Sequence, residues 1–238
     1  IIVLFSFVFY VAAQFQGAAN TFSSTFDLSL TESILIGAAG GLVVLLLVAA
    51  VIFGNSEVGS EYGEPTIEGQ GLPLMPPNQT VDASANGSTI PGVTGQDFED
   101  DTVTIDPTDG RAKAVVFLAH WCPFCQEEVQ SVQAWIDATG GDPDVDIYSV
   151  TTSMNSGRDN FPASDWLDRE GWTSPVIRDD NENSVLISYG AGAFPYWVFV
   201  NSDGSVALRT SGLLETPQLE EILAGGNESQ TLEARDGS

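Results

Sequence analysis

The segment Ala119-His120-Trp121-Cys122-Pro123-Phe124-Cys125 holds the only two thiols and the only histidine of a 238-residue chain. It follows a continuous apolar run, Ala114 to Ala119, of the kind that forms a strand buried on both faces. From about Cys122 to Asp137 the pattern turns helical. A thiolate at Cys122 therefore faces the positive end of a helix dipole and its unpaired N–H groups, which lowers its pKa and makes it the attacking sulfur. Cys125 lies one turn further in, close enough to form a disulfide, and is expected to be the more buried, resolving partner. The chemistry of such a pair is thiol–disulfide exchange.

Three other uses of two cysteines compete with this one: a structural disulfide, half of a metal site, or two ordinary buried thiols. Two Cys and one His cannot close a four-ligand zinc site without carboxylates or a second chain. A structural disulfide does most by closing a long loop, whereas a bridge across one helical turn constrains the unfolded chain little. Spacing, position at a helix start and the lack of further ligands together favour redox use.

The elements that must hold this pair in place follow from the hydrophobic pattern. Val103–Ile105 reads as a short edge strand. After the buried strand and the Cys122 helix, Val145–Val150 alternates as a second strand, and Ser164 is a candidate cap for a helix carrying Trp166, Leu167 and Glu170. Pro175-Val176-Ile177 and a short helix around Asn183–Ser188 precede the strand Tyr196–Val200. Asn201-Ser202-Asp203-Gly204 then turns the chain into Val206–Arg209. Thr216-Pro217 opens a last helix that ends at Gly225-Gly226. The order is β-α-β-α followed by β-β-α, an α/β domain over residues 97–226.

The rest of the chain is of a different kind. Net charge is −26, with 13 Asp/Glu and no base in residues 1–110, so phosphate neutralisation has no source and nucleic-acid binding is excluded. Ile34 to Phe53 is a run of 20 uncharged residues, long enough to cross a hydrocarbon core, and residues 33–54 are expected to be a transmembrane helix. Gly37 and Gly41 within it form a small-xxx-small pair. Residues 1–15 are also apolar and read as a shortened membrane segment or the apolar part of a signal. Residues 55–96, rich in Gly, Pro, Ser, Asn and Thr, are expected to be a flexible linker, and 227–238 a polar tail.

Residues 97–226 resemble the thioredoxin fold, a central mixed sheet flanked by helices, and most closely the membrane-tethered thiol–disulfide oxidoreductases of the TlpA/ResA type. The resemblance rests on Trp121-Cys122-Pro123-Phe124-Cys125, on Gly192-Ala193-Phe194-Pro195 ahead of the Tyr196–Val200 strand, and on Asp203-Gly204. The 70-residue offset from Cys125 to Pro195 matches the TlpA-type layout with its inserted strand–helix segment. The resemblance implies that Pro195 is a cis-proline packed against the sulfurs and that Phe194 presents backbone groups to an extended substrate, with Trp121, Pro123 and Phe124 on the same binding surface.

It also directs attention to Glu128, because relatives of this type carry a Glu three residues after the second cysteine. A helical wheel puts Cys125, Val129, Val132 and Ile136 on one apolar face, Glu128 at its border near Trp135, and Glu127 opposite. Glu128 is thus expected to sit half-buried beside the sulfurs, where it can move protons. The strand position six before Cys122, a buried Asp in thioredoxins proper, is Val116 here, which raises the value of Glu128. His120 is expected to have a solvent-facing or packing role.

What the resemblance implies about function is a membrane-tethered, extracytoplasmic oxidoreductase that reduces disulfides in exported proteins, as in cytochrome c maturation. Its partners would be disulfide or dithiol proteins and a membrane thiol reductase or oxidase, with no cofactor needed. Two alternatives remain open: an oxidant of the DsbA kind, and a redox-inactive peptide-binding module with an idle CxxC.

Overall fold

The structure, a computed structural model, describes residues 29, 31–32, 41–43, 46 and 61–225. The chain divides into two units, Ile1–Glu57 and Val58–Ser238. In the first, Ser29 and Glu32 form a reciprocal capping box at a helix start: the Ser29 N–H donates to Glu32 Oε2 at 2.9 Å and the Glu32 N–H to Ser29 Oγ at 3.3 Å. Among the described residues no helix is long and apolar enough to cross a membrane. The expectations for residues 1–15, 227–238 and nearly all of 33–54 lie outside the described residues.

In the second unit, successive residues of the strand Ala112–Leu118 (β5) point to opposite faces of a sheet, and both faces are covered. Ala114, Val116 and Leu118 enter one core cluster, Val115 and Phe117 the other. Beside β5 lie Val145–Thr151 (β6) and Val176–Arg178 (β7), both parallel to it, and on its other side Tyr196–Val200 (β8), antiparallel to β5, and Val206–Ser211 (β9), antiparallel to β8. Val81–Asp82 (β2) closes the edge, giving the order β2-β9-β8-β5-β6-β7. The continuous apolar run around β5 is thus the sequence mark of a central strand.

One face of this sheet carries the helices Pro123–Thr139 (α1) and Ala163–Arg169 (α2) and a last helix over 216–225 (α4), through Val129, Val132, Trp166, Leu167, Leu219 and Leu223. The other face meets the short helix Ser184–Ser188 (α3) and a second, three-stranded antiparallel sheet. Its strands are Thr66–Glu68 (β1), Gly92–Gln96 (β3) and Thr102–Ile105 (β4), in the order β1-β3-β4. At Gly95 a Cβ would come within 2.6 Å of the Ile177 side chain, so β3 crosses β7 where only glycine allows the approach.

This second layer corrects the expectation of a flexible linker over 55–96, of which 55–60 lie outside the described residues. Residues 61–96 are part of the fold. Leu72, Met75, Ala85, Ile90 and Val93 are few and far apart, yet each is buried against the open face of the large sheet. Backbone groups find partners across the chain as well: the Leu72 N–H donates to the Ser188 carbonyl and the Met75 N–H to that of Gly190, both at 2.8 Å. Composition describes what a segment can bury by itself, and here the burying surface belongs to another part of the chain.

A buried ion pair pins the layer. Arg209 on β9 is fully buried and reaches Asp82 on β2, the Pro73 carbonyl at 2.7 Å, the Ser84 hydroxyl at 3.2 Å and the Tyr196 hydroxyl at 3.3 Å. Removing the carboxylate leaves the guanidinium buried without its counter-charge. Asp82→Asn should therefore destabilise the protein by about 3–5 kcal/mol, read from urea unfolding, whereas the paired replacement Asp82→Leu with Arg209→Met should recover most of that loss.

Candidate active site

Cys122 is the N-cap of α1, in extended conformation, and Pro123 occupies the first helical turn, where its missing N–H costs nothing. The Cys122 sulfur is nearly buried and lies 3.9 Å from the Phe194 carbonyl oxygen. Cys125 is fully buried beneath it, and the Ala119 N–H at the end of β5 donates to its sulfur at 3.4 Å. Both cysteines are free thiols. Their acidities diverge for reasons visible in this geometry. Hydrogen bonding from the Cys125 thiol, with lesser help from the Cys125 and Phe124 backbone N–H groups, lowers Cys122 to about 6 against the opposing cost of burial. Burial drives Cys125 strongly upward, and the charges of Cys122 and Glu128 add to it.

The expected binding residues form the rim. The Phe194–Pro195 peptide bond is cis and leads directly into β8. Trp121 meets the Phe194 ring edge-on, with centroids 6.1 Å apart, and its indole N–H donates to the Ser153 carbonyl at 2.7 Å. Phe124 is 57% exposed on the first turn of α1, next to the exposed Pro123. An apolar side chain so exposed at a helix start is available to touch another chain.

Glu128 lies deeper than its border position on the helical wheel suggested. It is 1% exposed, and its carboxylate accepts the Trp197 indole N–H at 2.7 Å and the Leu214 N–H at 2.9 Å. Burial raises its pKa to about 7 although both hydrogen bonds oppose the rise. The wheel shows only which face of a helix a residue is on. The two donors that make full burial tolerable come from β8 and from the segment ahead of α4, 69 and 86 residues away. Val116 is buried within the same cluster as Cys122 and Cys125, so the site's internal carboxylate comes from the helix rather than from the strand.

His120 is buried, which removes the solvent-facing half of its expectation and keeps the packing half. Its Nε2 accepts the Asn155 N–H at 3.1 Å, so its Nδ1 carries the proton and donates to the Asp159 carbonyl at 2.8 Å. Burial lowers its pKa, in keeping with a neutral ring. Sequence reasoning missed the loop that His120 holds, residues 153–161, and it missed Glu61. The Glu61 carboxylate accepts the Ala163 and Ser164 N–H groups at 2.6 and 3.2 Å and the Ser164 hydroxyl at 2.5 Å, capping α2 from 102 residues away. Ser164 therefore sits inside α2 and supports the cap instead of being it.

A mixed sheet flanked by helices, a CxxC at the start of the first long helix and a cis-proline opposite it define a thioredoxin-fold dithiol protein. The chain matches the Redoxin family over residues 85–223, and it belongs to that family. It is 21% identical over 128 residues to the thiol-disulfide oxidoreductase ResA of Halalkalibacterium halodurans, covering 54% of this chain and 69% of the relative. A DsbF homologue from Corynebacterium diphtheriae superposes with a TM-score of 0.53 at 15% identity, covering 66% of this chain and 99% of that one. A thioredoxin-family thiol:disulfide interchange protein from Chlorobium tepidum gives 0.50 at 17% identity, covering 60% and 99%. The protein is a thiol–disulfide oxidoreductase of TlpA/ResA-like type.

Two titrations follow from the site. Alkylation by iodoacetamide should rise with pH through an inflection near 6, the thiolate of Cys122 being present above it, while Cys125 stays unreactive in the folded protein. In Cys125→Ala the inflection should move up toward the ordinary thiol value, since the largest cause of the lowering is gone. Glu128 keeps its proton to about pH 7 in the folded state and releases it near 4.5 when unfolded, so the folded state binds more protons between those values. Stability should accordingly fall as pH rises from 4.5 to 7, by about 3 kcal/mol relative to Glu128→Gln, measured by urea unfolding at each pH.

Proposed function

We propose that the protein is a membrane-tethered, extracytoplasmic reductant of disulfides in exported proteins, of the kind that serves cytochrome c maturation. The observation that carries this reading is the asymmetry of the thiol pair: Cys122 acidic and at the rim, Cys125 buried and hard to ionise, with Glu128 behind it. Cys122 thiolate attacks one sulfur of a substrate disulfide. A mixed disulfide forms and the first substrate thiolate leaves. Cys125 then loses its proton to the Glu128 carboxylate and attacks the Cys122 sulfur, which releases the second substrate thiolate and leaves Cys122–Cys125 oxidised. Trp121, Pro123, Phe124, Phe194 and Pro195 form the surface on which the substrate chain lies, with the Phe194 carbonyl as a main-chain partner.

The reducing direction is favoured by the Cys122 acidity. A strong oxidant such as DsbA holds its thiolate at a pKa of about 3.5, which stabilises the reduced form, while thioredoxin sits at about 7. Cys122, at about 6, lies nearer to the reductant, in line with a Pro123-Phe124 dipeptide whose side chains offer no hydrogen-bond donor. The tether is supported by the uncharged run Ile34–Phe53, whose length suits a bilayer, and by the capping box that starts a helix just ahead of it. Electrons would come from a membrane thiol reductase.

The full chain in detergent micelles, equilibrated against dithiothreitol or glutathione, should show a reduction potential of about −250 mV or below. A value near about −120 mV would reverse the direction and make the protein an oxidant. In the same preparation Cys125→Ser should accumulate mixed disulfides with exported proteins, which an idle peptide-binding module would not do.

A further inference from the structure

Six Lys and Arg side chains fall within the described residues, against a chain total of 33 carboxylates. Four of them, Arg111, Lys113, Arg178 and Arg209, are in ion pairs with Asp146, Asp109, Asp100 and Asp82. Arg169 donates to Asn160 Oδ1 at 2.7 Å. Arg158 differs from all of these. Its guanidinium lies 5.2 Å from the centroid of the Trp121 ring, exposed, with no acceptor for its N–H groups among the described residues.

This placement is built and does not depend on the arginine side chain alone. Asn155 and Asp159, on either side of Arg158, are both held by the one imidazole of His120: the Asn155 N–H donates to Nε2 and the Asp159 carbonyl accepts from Nδ1. The Arg158 N–H closes the turn onto the Asn155 carbonyl at 3.1 Å. Trp121, on which the guanidinium rests, is fixed in turn by its hydrogen bond to the Ser153 carbonyl. The loop therefore carries a positive charge to the tryptophan that adjoins the attacking cysteine, and the cation–π contact holds it there without neutralising it.

We propose that Arg158 is a specificity-determining residue that binds a carboxylate of the substrate polypeptide, an Asp or Glu side chain close in sequence to the cysteine attacked by Cys122. The inference rests on the reading of Cys122 as nucleophile. A guanidinium offers a planar fork of donors matched to a carboxylate, and a cation–π contact with an indole supplies no acceptor that would occupy them. Through Trp121, the Arg158 Cζ lies no more than about 11 Å from the ring of Phe194, the residue whose carbonyl oxygen is 3.9 Å from the Cys122 sulfur. An extended chain advances about 3.3 Å per residue, so the acidic side chain would stand within about three residues of the attacked cysteine. On a protein of net charge −26, a local cation beside the dithiol also offsets the repulsion that an acidic substrate would otherwise meet.

The test compares two disulfide peptides that differ only in Asp or Asn at positions up to three residues on either side of one cysteine. Each is reduced by the full chain in neutral detergent, with kcat/KM taken as a ratio, Asp over Asn. Wild type should prefer Asp by about fivefold at low ionic strength, the size of an exposed ion pair, and the preference should shrink in about 1 M salt. Arg158→Gln should bring the ratio to about one, Arg158→Glu should invert it, and Arg158→Lys should keep part of it. Because each ratio is internal to one variant, a general loss of rate leaves it readable. A wild-type ratio near one, or a preference that survives Arg158→Gln, overturns the proposal. If wild type reduces neither peptide nor the uncharged hydroxyethyl disulfide, the nucleophile reading itself fails and this inference falls with it.

Discussion

The enclosure of β5 on both faces is the constraint on which the rest of the structure depends. Six of its seven residues are buried, and its neighbours β6 and β8 hold its register. A strand so enclosed can release the chain only at its end, and there Ala119 both turns into α1 and gives its N–H to Cys125. The position of the dithiol is therefore set by the core and not by a loop, which is what a reactive pair needs if its acidities are to be fixed rather than averaged over conformers.

From that position one geometric fact, the difference in depth between a helix N-cap and a residue one turn inside, separates two chemically identical thiols. The outer sulfur collects donors and the inner one loses solvent. Glu128 then repeats the inner condition for a carboxylate: buried, raised and hydrogen-bonded from β8 and from the approach to α4. With Val116 in the strand position, the buried carboxylate is one turn along the same helix that carries both cysteines, so two thiols and a carboxylate share a single rigid element.

What was legible in the sequence was local. The strand–CxxC–helix junction and the order of elements after Asp97 carry their signal within a dozen residues, because each depends on periodicity or on turn chemistry, while the role of Phe194-Pro195 at the entry to β8 came from the resemblance to a known family. What escaped was held together at long range. Leu72, Met75 and Ile90 are sparse along a Gly/Pro-rich stretch and acquire a meaning only when α3 and the open sheet face are in place. Glu61 is one carboxylate among 33, and nothing near it in the chain marks it as the cap of a helix 102 residues on. The lone His120 drew attention through its closeness to Cys122, while its partners Asn155 and Asp159 lie more than thirty positions away.

The Glu61 cap has a mechanical side. The neighbouring Tyr62 hydroxyl donates to the Met154 carbonyl at 3.4 Å, and the Gly63 N–H to the Asp179 carbonyl at 3.0 Å, so three successive residues grip α2, the loop before it and the end of β7. The chain thus enters this unit beside the loop that seats Trp121. A pull on the chain ahead of Glu61 would fall first on that grip. Tension on the chain ahead of Glu61 and the seat of Trp121 consequently share a foothold, the adjoining residues Ser153 and Met154.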